Sequence, residues 1–99
     1  MARISEKKKS DALYRAILQL RTEEEVYDFF QDLCTVTELR SMEQRFEVAL
    51  MLHDGAVYND ILERTGASSA TISRVNRSLN QGSRGYQVYF DRTAGEGRP

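Results

Sequence analysis

The sequence has one cysteine and one histidine among its 99 residues. Because Cys34 is alone, no disulfide can form within the chain, and a reducing, cytoplasmic location is expected. Cys34 and His53 are too few ligands for a structural zinc site, so no metal is expected. Apolar runs fall short of the ~20 residues that cross a bilayer, and the basic start around Lys7 lacks the apolar stretch of a secretory signal. We therefore expect no membrane partner.

Sequence motifs of enzymes are also missing. There is no glycine-rich phosphate or dinucleotide loop, no nucleophile elbow, and nothing near His53 suggests a catalytic partner. We predict no catalytic residues and no enzymatic activity.

Proline is confined to Pro99, and apolar residues recur at spacings of three and four, which predicts an all-α fold. Two capping boxes, Thr22 with Glu25 and Thr35 with Glu38, each predict a helix start. The predicted helices start near Ser10 or Asp11, after Thr22 and after Thr35, and two more run from Tyr58 to about Thr65 and from Ser68 or Ser69 to about Asn80. The helix after Thr35 is expected to end near Gly55, since glycine readily adopts the left-handed conformation that closes a helix.

The C-terminal part of the chain has weaker signals. The aromatic segment after Gly85, from Tyr86 to Phe90, predicts either a helix or an extended piece. Residues 93–99 have no apolar pattern and predict a disordered tail. Residues 1–92 are expected to form a single domain.

Charge is distributed unevenly although the net charge is −1. Residues 1–21 and residues 64–99 each carry six basic and two acidic side chains, whereas residues 22–63 carry two basic and eleven acidic ones. Between Gly66 and Phe90 there are three arginines and no acid. DNA responds to the local field, so this segment is a candidate contact surface, with a merely solvated basic face as the alternative.

Large apolar residues are concentrated in the second and third predicted helices, and these include Phe29, Phe30, Met42, Phe46 and Met51. A bundle of only ~80 ordered residues has a high surface-to-volume ratio and often covers such faces by association. This pattern favours a homodimer, and a monomeric core that holds all of them is the alternative.

The segment Tyr58–Gln81 predicts a helix-turn-helix. Such a unit needs a supporting helix, a tight turn and a second helix with one free face. Gly66 stands where the chain must turn, in a conformation that other residues adopt at a cost. The usual buried positions of this unit hold apolar residues, namely Ile61, Ala67, Ile72 and Val75.

The two faces of the second helix differ in character. At about 100° per residue, Val75 and Leu79 lie on the same stripe as Ile72. Ala70, Arg74 and Arg77 fall on the opposite side, with Ser73 on its flank. Small residues allow close approach to base edges, hydroxyls bond bases or phosphates, and arginines neutralise phosphate.

The segment Gly66–Leu79, GASSATISRVNRSL, closely resembles the recognition segment of the Trp-repressor superfamily. With YNDILERTG before it and the Gly85-Tyr86 exit after it, the sequence is similar to the YerC/YecD branch, over about Phe29 to Tyr86.

The resemblance implies a bacterial transcriptional regulator, usually a repressor, built as an intertwined helical homodimer. Its two recognition helices would enter successive major grooves of double-stranded DNA, the docking geometry for which the Trp repressor is a standard example. By position, the family's DNA-facing residues match Ser68, Ser69, Ala70, Thr71 and Ser73. Arg77 is added because helical rotation places it on the same outer face.

The resemblance also implies an effector pocket, because Thr35, Arg45, Arg74 and Ser78 align with the family's amino-acid ligands. Two arginines favour a small anionic or zwitterionic, amino-acid-like effector. Val75 stands where tryptophan binders have glycine and would fill space that an indole needs, which argues against tryptophan. The alternative is that no cofactor or effector binds and both arginines pair with acids or phosphates.

The leading prediction is a sequence-specific, DNA-binding helix-turn-helix regulator. An alternative from another class is a helical protein-interaction module in which the arginine face is incidental.

Overall fold

The computed structural model describes residues 8–96, so Lys7 in the basic start and residues 97–99 of the predicted tail lie outside the described part. Six helices and no strand are present in residues 8–96. The helices are α1 (Asp11–Leu18), α2 (Glu23–Leu33), α3 (Val36–His53), α4 (Tyr58–Thr65), α5 (Ser69–Gln81) and α6 (Gly85–Thr93). The predicted all-α fold is confirmed. No helix in this part of the chain is long and apolar enough to span a membrane.

Local hydrogen bonds explain where α2 and α3 begin. The Thr22 hydroxyl accepts from the Glu25 amide at 3.1 Å, and Glu25 in turn accepts from the Arg21 amide at 2.8 Å. At the start of α3, Thr35 and Glu38 each accept a hydrogen bond from the other's amide, at 3.0 and 2.8 Å. Both predicted helix starts are confirmed. These bonds satisfy backbone donors that have no partner within the helix.

The chain divides into two compact units, Met1–Leu39 and Arg40–Pro99, here named unit 1 and unit 2. In unit 1, no residue of α1 or α2 is buried, and Leu39 is the buried apolar residue among those described. Leu18 is 80% exposed and Val36 is 73% exposed. Phe29 and Phe30 pack edge to face, with ring centroids 5.8 Å apart. The single domain expected over residues 1–92 stays a prediction.

Unit 2 has a fully buried core. Val48 and Ala49 of α3 pack with residues of α4 and α5, and the cluster consists of Val48, Ala49, Ile61, Ala67, Ile72 and Val75. Gly55, with φ of 88°, follows the end of α3 as predicted. The core therefore fixes α4 and α5 against the second half of α3.

The segment after Gly85, for which the sequence predicts either a helix or an extended piece, is helical. Arg84, the N-cap residue that precedes α6, has φ of 74°, in the left-handed region where residues other than glycine are uncommon. The predicted tail starts at Thr93, but Thr93 is the last residue of α6 and its hydroxyl donates to the Tyr89 carbonyl at 3.0 Å. The helix therefore includes the first residue of that tail.

Candidate nucleic-acid interface

The helix pair α4 and α5 is supported from one side by unit 2's core. Ile61 projects from α4, and Ile72 and Val75 project from α5, all three buried, with Leu79 half-buried further along α5. Burial of Ile72, Val75 and Leu79 agrees with the stripe predicted from helical rotation, and burial of Ile61 agrees with its predicted position in the helix-turn-helix. Since Ile72, Val75 and Leu79 lie on one stripe of α5, the opposite stripe faces solvent.

The turn between the two helices is held by side-chain hydrogen bonds. The Thr65 hydroxyl donates to the Ile61 carbonyl at 2.7 Å and accepts from the Ala67 amide at 3.1 Å. Gln44 of α3 donates through Nε2 to the Thr65 carbonyl at 3.0 Å. Gly66 follows with φ of 71°, as predicted for this position. The turn is thus tied to α3 as well as to α4.

Ser68 caps the start of α5 with its hydroxyl. The oxygen accepts from the Thr71 amide at 3.1 Å, and the hydroxyl donates to Thr71 Oγ1, also at 3.1 Å. The proton of the Ser68 hydroxyl is therefore used within the protein. The Thr71 hydroxyl keeps its own proton and can donate it to a phosphate oxygen or a base acceptor. Ser68 and Thr71 were both predicted to face DNA, but the sequence alone does not show that Ser68 caps the helix while the Thr71 hydroxyl remains able to donate.

The outer face of α5 is open and basic. Of the predicted DNA-facing residues, Thr71 is half-buried, and the exposed ones are Ser68, Ser69, Ala70, Ser73 and Arg77. Arg74 is exposed beside them, and neither it nor Arg77 forms an ion pair within residues 8–96. Side chains near the helix start are small, and the arginines follow one to two turns later. The face can approach a groove closely and still present positive charge.

Gly82 ends α5. A Cβ added there would overlap the Ser78 carbonyl oxygen, which accepts from the Gly82 amide at 3.0 Å. This close approach requires glycine. α5 therefore ends within one residue of its predicted end.

Ser78, one of the predicted effector residues, lines an open cavity of about 450 Å³ between α3, α5 and α6. The other lining residues are Phe46, Gly82, Ser83, Gly85, Tyr86 and Tyr89. Arg45 and Arg74 are exposed and are not part of this lining. Thr35 belongs to unit 1, where its hydroxyl caps α3.

Aromatic residues of α6 contact α3 beside this cavity. The ring of Phe46 lies 5.4 Å from that of Tyr89, edge to face, and 6.4 Å from that of Tyr86, stacked. At the end of α3, His53 stacks on Phe90 with centroids 3.8 Å apart and planes 9° apart. These contacts between α3 and α6 could not be predicted, because local sequence spacing carries no signal for residues that are more than 30 positions apart. Within residues 8–96 no group of three or more His, Cys, Asp or Glu could hold a metal ion.

Comparisons with known proteins agree on one family. The family model described as Trp repressor protein matches residues 8–94. An uncharacterized protein from Bacillus subtilis strain 168, YerC, is 52% identical over 85 residues, which cover 86% of this chain and 82% of YerC. The crystal structure of a TrpR-like protein from Eubacterium eligens ATCC 27750 is similar with a TM-score of 0.81 and 53% identity, covering 89% of this chain and 91% of that one. A structure from Staphylococcus aureus gives a TM-score of 0.80 at 49% identity, covering 89% and 88%.

Proposed function

Because the chain belongs to the Trp repressor family, in its YerC branch, we propose that it is a sequence-specific DNA-binding regulator that acts as a repressor in the bacterial cytoplasm. Its α4 and α5 form the helix-turn-helix, and α5 is the recognition helix that enters the major groove.

The exposed face of α5 is the observation that carries this proposal. Ser69, Ala70 and Ser73 lie exposed near its start, and Arg74 and Arg77 follow without acidic partners in the described chain. The hydroxyls and the close-approaching Ala70 suit base edges, while the guanidinium groups suit phosphates. Thr71 supplies a donor at the helix start, beside Ser68, whose hydroxyl is used in the cap.

Two copies of the chain form the DNA-binding unit in this proposal. The support comes from unit 1, where the apolar faces of α1 and α2 contain no buried residue. Leu18, Leu33 and Val36 are more than half exposed, and burial of such surface is the main drive for association. A twofold-symmetric dimer would present two copies of α5 to two half-sites.

An amino-acid-like effector is proposed to bind through Arg45, Arg74 and Ser78 of unit 2. Its support is that both arginines are exposed and carry no ion pair in residues 8–96. Tryptophan is not favoured, because Val75 is 3% exposed and occupies the packed core.

The double variant Ala70→Glu with Ser73→Glu tests the recognition face. It places two carboxylates on the face that is proposed to enter the groove. After an operator is selected from genomic fragments, fluorescence anisotropy should show that affinity falls roughly a hundredfold or more, since each lost base-edge contact costs about 1–3 kcal/mol. Wild-type binding should weaken steeply as salt is added, because phosphate contacts release counterions.

The matched control is Gln19→Glu with Gln31→Glu, which adds the same charge at exposed positions of unit 1. This control should change affinity by much less than the α5 variant. Equal losses in both would show a long-range charge effect without a recognition face. If the wild-type protein retains no DNA even at low salt, the protein-interaction module becomes the better description.

A further inference from the structure

The hydrogen bond between Gln44 and Thr65 joins two parts of unit 2 that are 21 residues apart in the chain. Gln44 lies on α3 and donates through Nε2 to the carbonyl of Thr65, the last residue of α4, at 3.0 Å. Because that carbonyl is at the end of a helix, it receives no hydrogen bond within α4. The Gln44 amide therefore satisfies a backbone group that the helix itself leaves unpaired.

The same amide nitrogen lies beside Gly66 in the turn. A Cβ added to Gly66 would be 4.0 Å from Gln44 Nε2, which is van der Waals distance. Gln44 and Thr65 are both half-buried. A hydrogen bond in such surroundings is electrostatically stronger than the same bond in water. Gln44 thus fixes the position of the turn that leads into α5.

Apolar packing does not close the space between α3 and α4 beside this bond. An open cavity of about 440 Å³ lies there, and Gln44 and Thr65 belong to its lining. The other lining residues are Glu47, Leu50, Met51, Asp54 and Arg64. The core cluster joins α3 to α4 through Val48 and Ile61, but hydrophobic contact of this kind is non-directional. The hydrogen bond adds a directional contact beside the cavity.

We infer that Gln44 is a positioning residue for DNA recognition, because its hydrogen bond to Thr65 sets the orientation of α5 relative to α3. This inference rests on the proposed function. Helix α3 begins at Val36, in the unit that is proposed to associate, and ends at His53, in unit 2. In the proposed dimer, the orientation of α5 relative to α3 therefore determines the spacing at which two recognition helices meet two half-sites.

Binding of two half-sites at once depends on this orientation more than binding of one. The second half-site is bound intramolecularly, with an effective concentration that falls when the two recognition helices are held less firmly. A single half-site imposes no spacing. Loss of the Gln44 hydrogen bond should therefore weaken binding to a complete operator and leave the contacts within each half-site unchanged.

The test compares two affinities, measured by fluorescence anisotropy with the selected operator and with a duplex that carries one half-site. Gln44→Met removes the donor and keeps a side chain of similar length. It should weaken operator binding by about three- to tenfold, as expected for one lost hydrogen bond, and leave half-site binding within about twofold. The matched control Gln87→Met also removes a carboxamide hydrogen bond, the 2.8 Å bond to Asp91 within α6, and should leave both affinities within about twofold.

Thermal unfolding checks that both variants fold. If Gln44→Met does not fold, Gln44→Glu takes its place, because it keeps the shape of the side chain and replaces the donor with an acceptor. The ratio of operator affinity to half-site affinity should fall in the same way. Equal weakening on both duplexes would show that Gln44 only stabilises the fold, and an unchanged ratio would show that it does not position α5. Either result overturns the inference.

A measurement without DNA separates this inference from the proposed function. Residual dipolar couplings of the full ¹⁵N-labelled chain report the orientation of α4 and α5 relative to α3 in solution. In Gln44→Met the couplings of α4 and α5 should decrease relative to those of α3, whereas in Gln87→Met they should match the wild type. Unchanged couplings in Gln44→Met would refute the positioning role. A wild-type protein that binds no DNA, with couplings that respond to Gln44→Met, would refute the proposed function and leave the control of orientation in place.

Discussion

The two units of the chain bury their apolar residues very differently. Unit 2 contains side chains with no exposed surface, among them Val48, Ile61 and Ile72, drawn from three helices. In unit 1, α1 and α2 are amphipathic by sequence, yet neither has a buried residue. The exposed faces of unit 1 include Leu18 and Leu33. Unit 2 has a buried apolar core of its own, whereas the apolar faces of α1 and α2 in unit 1 remain exposed or half-buried.

The difference separates the helices proposed to form the helix-turn-helix from the helices proposed to associate. A small domain with little core is stabilised by covering its apolar faces. The half of the chain with the closed core carries the face proposed for DNA, and the half with open faces is the one proposed to meet a second copy.

The largest expected effect concerns the core of unit 2. Ile61→Ala should lower the free energy of unfolding by about 2–5 kcal/mol, because a side chain with 0% exposure leaves a cavity. Ile61→Val should cost about 0.5–1.5 kcal/mol at the same site. Urea denaturation at several protein concentrations measures both values. A loss below about 1 kcal/mol for the alanine variant would show that the closed core does not stabilise unit 2 as described.

The next effect concerns the open faces of unit 1. Leu18→Glu with Leu33→Glu should raise the dimer dissociation constant at least about tenfold, since a carboxylate in an apolar interface costs more than 1.4 kcal/mol. Sedimentation equilibrium over a range of protein concentrations should then show that the variant dissociates at a concentration at least about tenfold higher than the wild type does. Gln19→Glu with Gln31→Glu is the control for added charge. A wild-type protein that is monomeric throughout this range, or a variant whose dissociation constant equals that of the wild type, would contradict the assignment of these faces.

The smallest effect compares two glycines within unit 2. Gly66→Ala should cost about 1–2 kcal/mol, because φ of 71° is unfavourable for a residue with a Cβ. Gly85 opens α6, and an added Cβ meets nothing within 4 Å. Gly85→Ala should therefore be neutral or stabilising by less than about 1 kcal/mol. Equal losses of unfolding free energy at both positions would remove the argument that the turn requires glycine.

The helix boundaries could be predicted because their causes are local. A threonine followed three residues later by glutamate, as at Thr22 and Thr35, forms its capping bonds within one turn. Gly55 and Gly66 mark chain reversals through their own φ angles. The buried stripe of α5 could also be predicted, since Ile72 and Val75 follow from helical periodicity alone.

Contacts between distant parts of the chain could not be predicted. Gln44 and Thr65 are 21 residues apart, and the sequence carries no signal that one holds the carbonyl of the other. The stacking of His53 on Phe90 depends on α6 being a helix, which the pattern after Gly85 left open. For the same reason the cavity that Phe46, Ser78 and Tyr89 line could not be predicted from helical periodicity, because residues of three packed helices form it.

The cap of α5 divides the residues proposed to face DNA into two groups. Ser68 both accepts the Thr71 amide and donates to the Thr71 hydroxyl, so exchanging either residue alters the first turn of the helix itself. Ala70, Ser73 and Arg77 are exposed, and within residues 8–96 their side chains make no hydrogen bond. Under the proposed function, a library that varies these three positions and keeps the Ser68–Thr71 pair would change base preference on an unchanged scaffold.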